Sequence, residues 1–257
     1  MPEFCVTGGT GFIAAYLIKA LLDKGHTVRT TVRNPDDLEK VGYLTKLSGN
    51  KERLKILKAC LLVKGSFDEA VTGVDGVFHI ASPVIVPHDN NIQLWYAYAK
   101  TLGEREAWRI AKESGIDLVV VSPSFVVGPL LAPQPTSTLL MILGIIKGLK
   151  GDYPNTTVGF VHIDDVISAH LLAMEEPKAS GRLICSSTVA HWSQIIQMLR
   201  AKYPSYPYEI KCGSQEGDDN AHSMDTTKIT QLGFPQFKSL EKMFDDCIKS
   251  FQDKGFL

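Results

Sequence analysis

Tyr96 and Lys100 are the residues of this chain whose types and spacing best suit proton transfer to an oxygen atom. They stand four residues apart, so a helix predicted over 95–114 places both on one face. A free phenol has a pKa near 10 and is a poor acid–base group at neutral pH. A neighbouring ammonium, with any positive charge that a bound cofactor adds, would lower that pKa and let the phenol exchange a proton with a carbonyl or alcohol oxygen. Tyr98 lies on a different face, and a Tyr-x-x-x-Lys spacing by itself is common.

The sequence TGGTGFIA near the N-terminus indicates a phosphate-binding turn. A short apolar strand over 3–8 precedes it and a helix over 11–24 follows, which is the context that such a turn needs. Gly8 permits the tight turn, Gly11 lets the backbone approach a pyrophosphate, and Ala14 lets the helix pack closely on the sheet. The free N–H groups at the start of the helix would then face the phosphates. The alternative is a glycine-rich turn without a ligand.

The end of the second predicted strand, 27–32, indicates which dinucleotide is bound. An NAD enzyme places an acid there to bind the ribose 2′-hydroxyl, whereas this chain has Arg33, with Lys40 seven residues later. A guanidinium and an ammonium suit a 2′-phosphate, so the sequence predicts NADP. Asp36 and Asp37 are near, but they suit the first turn of a helix. The alternative for Arg33 is a surface cation without a ligand.

Strands and helices alternate through the first half of the chain. Beyond those already named, helices are predicted over 36–48 and 66–73, and strands over 54–61, 77–81 and 118–121. Such alternation gives a parallel sheet with helices on both faces. We therefore predict an α/β fold, a Rossmann-type doubly wound parallel sheet.

The second half of the chain is predicted to form a small C-terminal lobe of mixed strands and helices that binds the substrate. Helices are predicted over 138–150, 164–176, 192–203 and 239–254, and strands over 157–161 and 182–185. Asp164 is the expected N-cap of the second of these helices. We expect a Rossmann domain over 1–130 and a substrate lobe over 131–257, of which 157–187 partly returns to the Rossmann domain.

Composition excludes several classes of protein. In 257 residues, 27 Lys and Arg stand against 28 Asp and Glu, which argues against a nucleic-acid or membrane-surface partner. No apolar run reaches the roughly 18 residues of a membrane-spanning helix, and the N-terminus has no basic signal region. Five scattered cysteines without a C-x-x-C pair fit a reducing cytoplasm. We expect a cytoplasmic chain with no nucleic acid and no membrane insertion; the oligomeric state is open, with a monomer favoured.

Two other patterns do not carry chemistry. His162, Asp164, Asp165 and His170 resemble a metal site, but a capped helix after a strand explains the acids, so no metal is predicted. Residues 213–217 have the wrong order for the G-x-S-x-G motif, which disfavours a hydrolase.

With the glycine loop and the Tyr–Lys pair together, the sequence resembles the extended short-chain dehydrogenase/reductases. It is most similar to the plant dihydroflavonol 4-reductase-like group, and within that group to the tetraketide α-pyrone reductases. The resemblance covers nearly the whole chain and is carried by VTGGTGFIA (6–14), TVRNP (31–35), GSFDEAVTGVDGVFHIASPV (65–84), LWYAYAKTLGEREAW (94–108), PSFVVGPLL (123–131), FVHIDDV (160–166) and GRLICSS (181–187).

The resemblance implies NADPH-dependent reduction of a ketone on a small hydrophobic polyketide- or flavonoid-like substrate, in plant secondary metabolism such as sporopollenin biosynthesis. Tyr96 would be the catalytic acid, and Lys100 would hold the nicotinamide ribose and tune Tyr96. The implied cofactor contacts are Gly8, Gly11, Phe12 and Ile13 at the pyrophosphate, Arg33 and Lys40 at the 2′-phosphate, Ala81 and Ser82 at the end of strand four, and Pro123 and Ser137 at the nicotinamide end.

The chain departs from the family at two places. Cys60 stands where the family has an Asp that helps bind adenine. Between the equivalents of Gln93 and Leu94, family members have a further helix and strand, and that strand ends in a Ser that orients the substrate oxygen. Without it, we expect strand four and the strand over 118–121 to pair directly or to expose unpaired edges. We also expect an impaired enzyme, because replacement of the missing hydroxyl by Ser82 or Ser122, which end nearby strands, is disfavoured; the alternative is a non-catalytic NADP-binding protein or a truncated splice product.

Overall fold

The computed structural model describes residues 1–47, 51–82, 90–135, 137–213 and 222–257. Within these ranges the strands are β1 (Glu3–Thr7), β2 (Thr27–Val32), β3 (Leu54–Lys58), β4 (Gly76–Phe78), β5 (Val119–Pro123), β6 (Phe125–Val127), β7 (Thr157–His162), β8 (Gly181–Cys185) and β9 (Thr188–His191). The helices are α1 (Phe12–Asp23), α2 (Leu38–Val41), α3 (Asp68–Val71), α4 (Asn90–Ser114), α5 (Ser137–Ile146), α6 (Ile163–Glu175), α7 (Trp192–Lys202), α8 (Thr227–Gln231) and α9 (Leu240–Asp253). The chain divides into a first unit, Met1–Pro83 with Leu130–Thr136, and a second unit, Val84–Pro129 with Ser137–Leu257.

The first unit is a parallel sheet in the order β3-β2-β1-β4, with α1 packed on β1 and β2. Leu17, Ile18 and Leu21 of α1 are fully buried because they recur at helical spacing on one face. Gly25, with a φ of 91°, ends the helix in the left-handed conformation that glycine adopts without strain. Since the four strands are parallel, the residues that follow β1, β2 and β4 all lie at the carboxyl end of the sheet.

The second unit contains two small sheets. β5 pairs with β8 in parallel, whereas β7 pairs with β6 in parallel and with β9 in antiparallel orientation. Phe125, Phe160, Trp192 and Phe244 form a cluster of edge-to-face rings that packs β6 and β7 against α7 and α9. Aromatic burial of this kind supplies much of the free energy that holds a small mixed sheet to its helices.

β4 and β5 are edge strands in the described part of the chain. There, β4 pairs with β1 alone and β5 with β8 alone. The prediction that these two strands pair directly is therefore wrong. The alternative prediction, that they expose unpaired edges, agrees with the described residues. Val77 on β4 is 49% exposed, so one of these edges carries an apolar side chain into solvent. Such edges are templates for pairing with other chains.

The predicted α/β fold class with a Rossmann-type parallel sheet is confirmed. The helix predicted over 36–48 is wrong in length, since α2 is one turn and a 3₁₀ turn follows it. Asp164 is not the N-cap of α6: that residue is His162, whose Nδ1 accepts a hydrogen bond from Asp164 N at 3.0 Å. The strands β6 and β9 and the helix α8 were not predicted. The domains 1–130 and 131–257 stay a prediction. None of the helices in the described ranges is both long and apolar enough to span a bilayer.

Candidate active site

The glycine loop after β1 is fixed to β2 by its own backbone. Gly8 N donates to Thr31 Oγ1 at 3.2 Å, and Gly9 N donates to the Thr31 carbonyl at 2.9 Å. Gly11 N donates to the Gly8 carbonyl at 2.8 Å, which closes the turn. The loop is therefore held in one conformation without help from side chains of its own.

Two glycines of the loop have no room for a side chain. Gly8 has a φ of 75°, and a Cβ there would lie 3.0 Å from Ala81 Cα. A Cβ on Gly9 would lie 2.3 Å from Thr30 Oγ1. Gly8 was predicted to belong to the site and Gly9 was not, because the residue that Gly9 packs against, Thr30, is 21 residues away on the neighbouring strand.

The start of α1 fits a pyrophosphate. Its N-cap is Gly11, no side chain caps the helix, and no acid lies in the first turn. The N–H groups of the first turn, which includes Phe12 and Ile13, therefore remain available to an anion, with the positive end of the helix dipole behind them. Because the N-cap residue, Gly11, is exposed, a phosphate can reach these N–H groups from solvent.

Thr7 joins the glycine loop to the end of β4. Its Oγ1 accepts hydrogen bonds from Ile80 N and Ala81 N, each at 3.0 Å, and lies 3.1 Å from His79 Nδ1. These bonds bring the backbone of Ala81 and the following Ser82 beside Gly8. Thr7 was not predicted to take part in the site, since its partners lie more than 70 residues along the chain.

Arg33 and Lys40 lie near each other after β2, and both are exposed. Lys40 forms an ion pair with Asp37 at 2.9 Å, and Asp37 is also the N-cap of α2. The hydrogen bond to Asp37 raises the pKa of Lys40, and the nearby charge of Arg33 opposes that rise. Within the described residues Arg33 has no ion pair, so its guanidinium is the cation that is available to a 2′-phosphate.

Tyr96 and Lys100 lie on α4 with different surroundings. Tyr96 is half-buried and Lys100 is exposed, and no hydrogen bond joins them in the described structure. Burial raises the pKa of Tyr96, whereas the sequence predicts a lowering by Lys100 together with a cofactor charge. In the chain alone, burial dominates. The charge of Lys100 acts instead on Glu104, one turn further along the helix.

Glu104 links α4 to β8 within the second unit. Its Oε1 accepts hydrogen bonds from Arg182 of β8, at 2.5 Å from Nη2, and from Trp108 Nε1 at 3.1 Å. Burial works against ionisation, but the hydrogen bonds from Arg182 and Trp108 and the charges of Arg182 and Lys100 hold the pKa of Glu104 below its usual value. The helix that carries Tyr96 is therefore anchored to β8 by a charged group.

The sequence-predicted site residues fall into two groups. Those of the first unit, which meet at the carboxyl edge of its sheet, are Gly8, Gly11, Phe12, Ile13, Arg33, Lys40, Ala81 and Ser82. Those of the second unit are Tyr96, Lys100, Pro123 and Ser137. Pro123 ends β5 opposite Cys185, and Ser137 opens α5, with its side chain outside the described part. No group of three or more His, Cys, Asp or Glu side chains in the described ranges is placed to hold a metal ion.

Comparison with known proteins identifies the family. The family model described as NAD(P)H-binding matches residues 8–138, and that of the NAD dependent epimerase/dehydratase family matches 93–184. Tetraketide alpha-pyrone reductase 2 of Arabidopsis thaliana is 59% identical, with 100% of each chain covered. Dihydroflavonol 4-reductase of Callistephus chinensis is 32% identical, with 100% of this chain and 88% of the other covered. The crystal structure of vestitone reductase from alfalfa is similar with a TM-score of 0.82, at 29% identity and 100% coverage of both chains.

The alignment lengths also test the prediction that this chain lacks an internal segment. The alignment with tetraketide alpha-pyrone reductase 2 spans 321 positions, whereas this chain has 257 residues, so about 64 positions have no residue of this chain. Because both chains are covered from end to end, these positions are internal. The missing internal segment is thereby confirmed, and its location between Gln93 and Leu94 stays a prediction. The chain belongs to the dihydroflavonol 4-reductase-like group of the extended short-chain dehydrogenase/reductases, a family of NAD(P)-dependent reductases, and it lacks an internal segment that its relatives have.

Proposed function

We propose that this chain reduces a ketone on a small hydrophobic polyketide- or flavonoid-like substrate with NADPH, in the manner of a tetraketide α-pyrone reductase, at a reduced rate. The 59% identity to tetraketide alpha-pyrone reductase 2 is the observation that carries this proposal. When bound, NADPH supplies the hydride. Tyr96 donates a proton from its hydroxyl to the oxygen of the reduced carbonyl, and Lys100 binds the nicotinamide ribose.

The substrate class is tested by offering the purified chain three ketone or thioester classes with NADPH. These are an α-pyrone with a ketone on its side chain, a dihydroflavonol, and a cinnamoyl thioester of coenzyme A. The proposal expects product from the α-pyrone or the dihydroflavonol, with the α-pyrone reduced faster. Reduction of the cinnamoyl thioester alone would contradict it.

The preference for NADPH depends on Arg33. Replacing Arg33 with Ala should weaken NADPH binding by about 1.5–3 kcal/mol and barely change NADH binding, because only NADPH offers a phosphate to the guanidinium. Lys40, already paired with Asp37, should matter less. Both cofactors are titrated by fluorescence against the parent, the Arg33→Ala variant and a Lys55→Ala control, in which an exposed cation on β3 is removed. Equal losses for NADPH and NADH in Arg33→Ala would show that Arg33 is an ordinary surface cation.

The reduced rate follows from the missing segment. In the family, a Ser on the absent strand orients the substrate oxygen, and a displacement of about 1 Å costs roughly 10²-fold in rate. The two hydroxyls considered as replacements are in different units, because Ser82 lies in the first unit and Ser122 on β5 of the second. The unpaired edges of β4 and β5 also favour aggregation or partial unfolding, which would lower the share of active monomer.

A thermal melt with and without NADPH separates the candidates. We expect a cooperative melt that NADPH raises, because the glycine loop, Thr7 and Arg33 lie in one unit, and turnover about 10²-fold below that of an intact relative. A melt raised by NADPH without any turnover would favour the second candidate, a non-catalytic NADP-binding protein. A non-cooperative melt would indicate a truncated splice product that does not fold. Turnover equal to that of an intact relative would refute the proposal that the missing segment lowers the rate.

We propose in addition that the chain acts in the cytoplasm as a monomer, without nucleic acid or a membrane. The near-balance of charge and the scattered cysteines support this.

A further inference from the structure

Two buried hydroxyls of the second unit have no hydrogen-bond partner. The Oγ atoms of Ser124 and Ser186 are inaccessible to solvent and unpaired in the described structure. Ser186 as a whole is only 4% exposed. Because a buried polar atom without a partner destabilises a folded chain, such atoms call for a functional explanation.

Both hydroxyls lie at the carboxyl end of the same parallel pair. Pro123 of β5 is opposite Cys185 of β8, and Ser124 and Ser186 are the residues that follow. Ser124 N donates to the Cys185 carbonyl at 3.0 Å, which fixes the two connections side by side. In parallel α/β sheets, ligands bind outside the carboxyl ends of the strands.

Gly159 of β7 keeps room for these hydroxyls. A Cβ there would lie 2.7 Å from Ser186 Oγ and 3.0 Å from Ser124 Cβ, so both side chains pack against the bare backbone of this glycine. The methyl group of Met224 would lie 3.2 Å from that Cβ. Met224 is 38% exposed, and its side chain is of a flexible type that can change conformation.

We propose that Ser124 and Ser186 together bind a carbonyl oxygen of the substrate that does not react, the ring carbonyl in the case of an α-pyrone. This assignment rests on the proposed function. Each hydroxyl has one proton to donate, and a carbonyl oxygen has two lone pairs to accept them. Met224 must move aside to admit the ring. The two serines are positioning residues, located in the same unit as Tyr96.

The neighbouring Ser187 provides a matched control. Its hydroxyl already donates to the Lys238 carbonyl at 2.7 Å. Replacing Ser187 with Ala should therefore lower the melting temperature of the free chain and leave ligand binding unchanged. Replacing Ser186 or Ser124 with Ala removes an unpaired polar atom and should raise the melting temperature by about 2–4 °C.

The binding probe is 4-hydroxy-6-methyl-α-pyrone, which has the ring carbonyl but no side-chain ketone to reduce. Orcinol, a ring of similar size without a carbonyl, is the control ligand. Calorimetric titration of the parent, Ser124→Ala, Ser186→Ala and Ser187→Ala should show pyrone binding weakened about tenfold in the first two variants only. Orcinol binding should be the same in all four proteins.

Three outcomes overturn the assignment and can be told apart. If the pyrone binds the parent and both serine variants equally, the hydroxyl pair does not contact the ligand, while the proposed substrate class stands. If the parent does not bind the pyrone at all, this assignment fails and so does the α-pyrone part of the proposed substrate class, whereas reduction of a dihydroflavonol can still be tested separately. A melting temperature that falls in Ser186→Ala, with pyrone affinity unchanged, would show a structural role instead.

Discussion

Replacing Tyr96 with Phe is expected to lower the rate of ketone reduction by about 10²–10⁴-fold, the range by which a positioned general acid accelerates a reaction. Burial raises the pKa of Tyr96, so the phenol stays protonated across the neutral and mildly alkaline range. A protonated phenol is the form needed to donate to the oxygen of a reduced carbonyl. The variant keeps the ring and its packing and removes only the hydroxyl.

Tyr98 supplies the control for this prediction. It lies two residues along α4, is 56% exposed, and its ring packs edge-on against that of Trp95. Tyr98→Phe should therefore leave the rate unchanged. Because the parent is expected to be slow, product is collected over hours and quantified by mass spectrometry. A Tyr96→Phe chain that forms product as fast as the parent would show that the proton comes from another group.

Local patterns predicted the parts of the fold that depend on neighbouring residues. The strand over 27–32 coincides with β2, and α1 lies within the predicted 11–24, because its apolar spacing and Gly25 act within a single element. The helix over 36–48 failed at Gly42, a poor helix former, where the chain turns after one helical turn. β6 and β9 have three and four residues, and their partner β7 is far away in sequence, so no local pattern marks them.

The residues of the candidate site likewise divide into those that the sequence alone could predict and those that it could not. Glycines, the Tyr–Lys spacing and Arg33 are visible in the sequence because their residue types alone suggest chemistry. Thr7 and Ser186 are not, since each takes its meaning from residues that the fold brings to it. His162 illustrates the limit for helix caps: the usual N-cap residues are Ser, Thr, Asp and Asn, yet a fully buried imidazole accepts the bond instead.

Three buried thiols are expected to make the fold sensitive to alkali. Burial raises the pKa of Cys5 to about 11 and that of Cys185 to about 12, and it raises the pKa of Cys247 as well. In the unfolded chain each thiol returns to an ordinary value near 9. As the pH rises, the unfolded chain therefore loses its protons first, so stability is fully present below pH 9 and is lost as the pH rises towards the folded values.

At pH 10 each thiol lowers the free energy of unfolding by about 1.4 kcal/mol, which is one pKa unit, and the three together by about 4 kcal/mol. Cys5 lies in the first unit and the other two in the second. If the units unfold separately, one transition loses about 1.4 kcal/mol and the other about twice that. Urea unfolding at pH 7.5 and pH 10, with a reductant present, measures both.

The triple variant Cys5→Ala, Cys185→Ala, Cys247→Ala should lose most of the pH dependence, whereas Cys60→Ser, a change at a half-buried thiol, should keep it. A parent chain whose free energy of unfolding is the same at both pH values would show that these thiols are not held away from water.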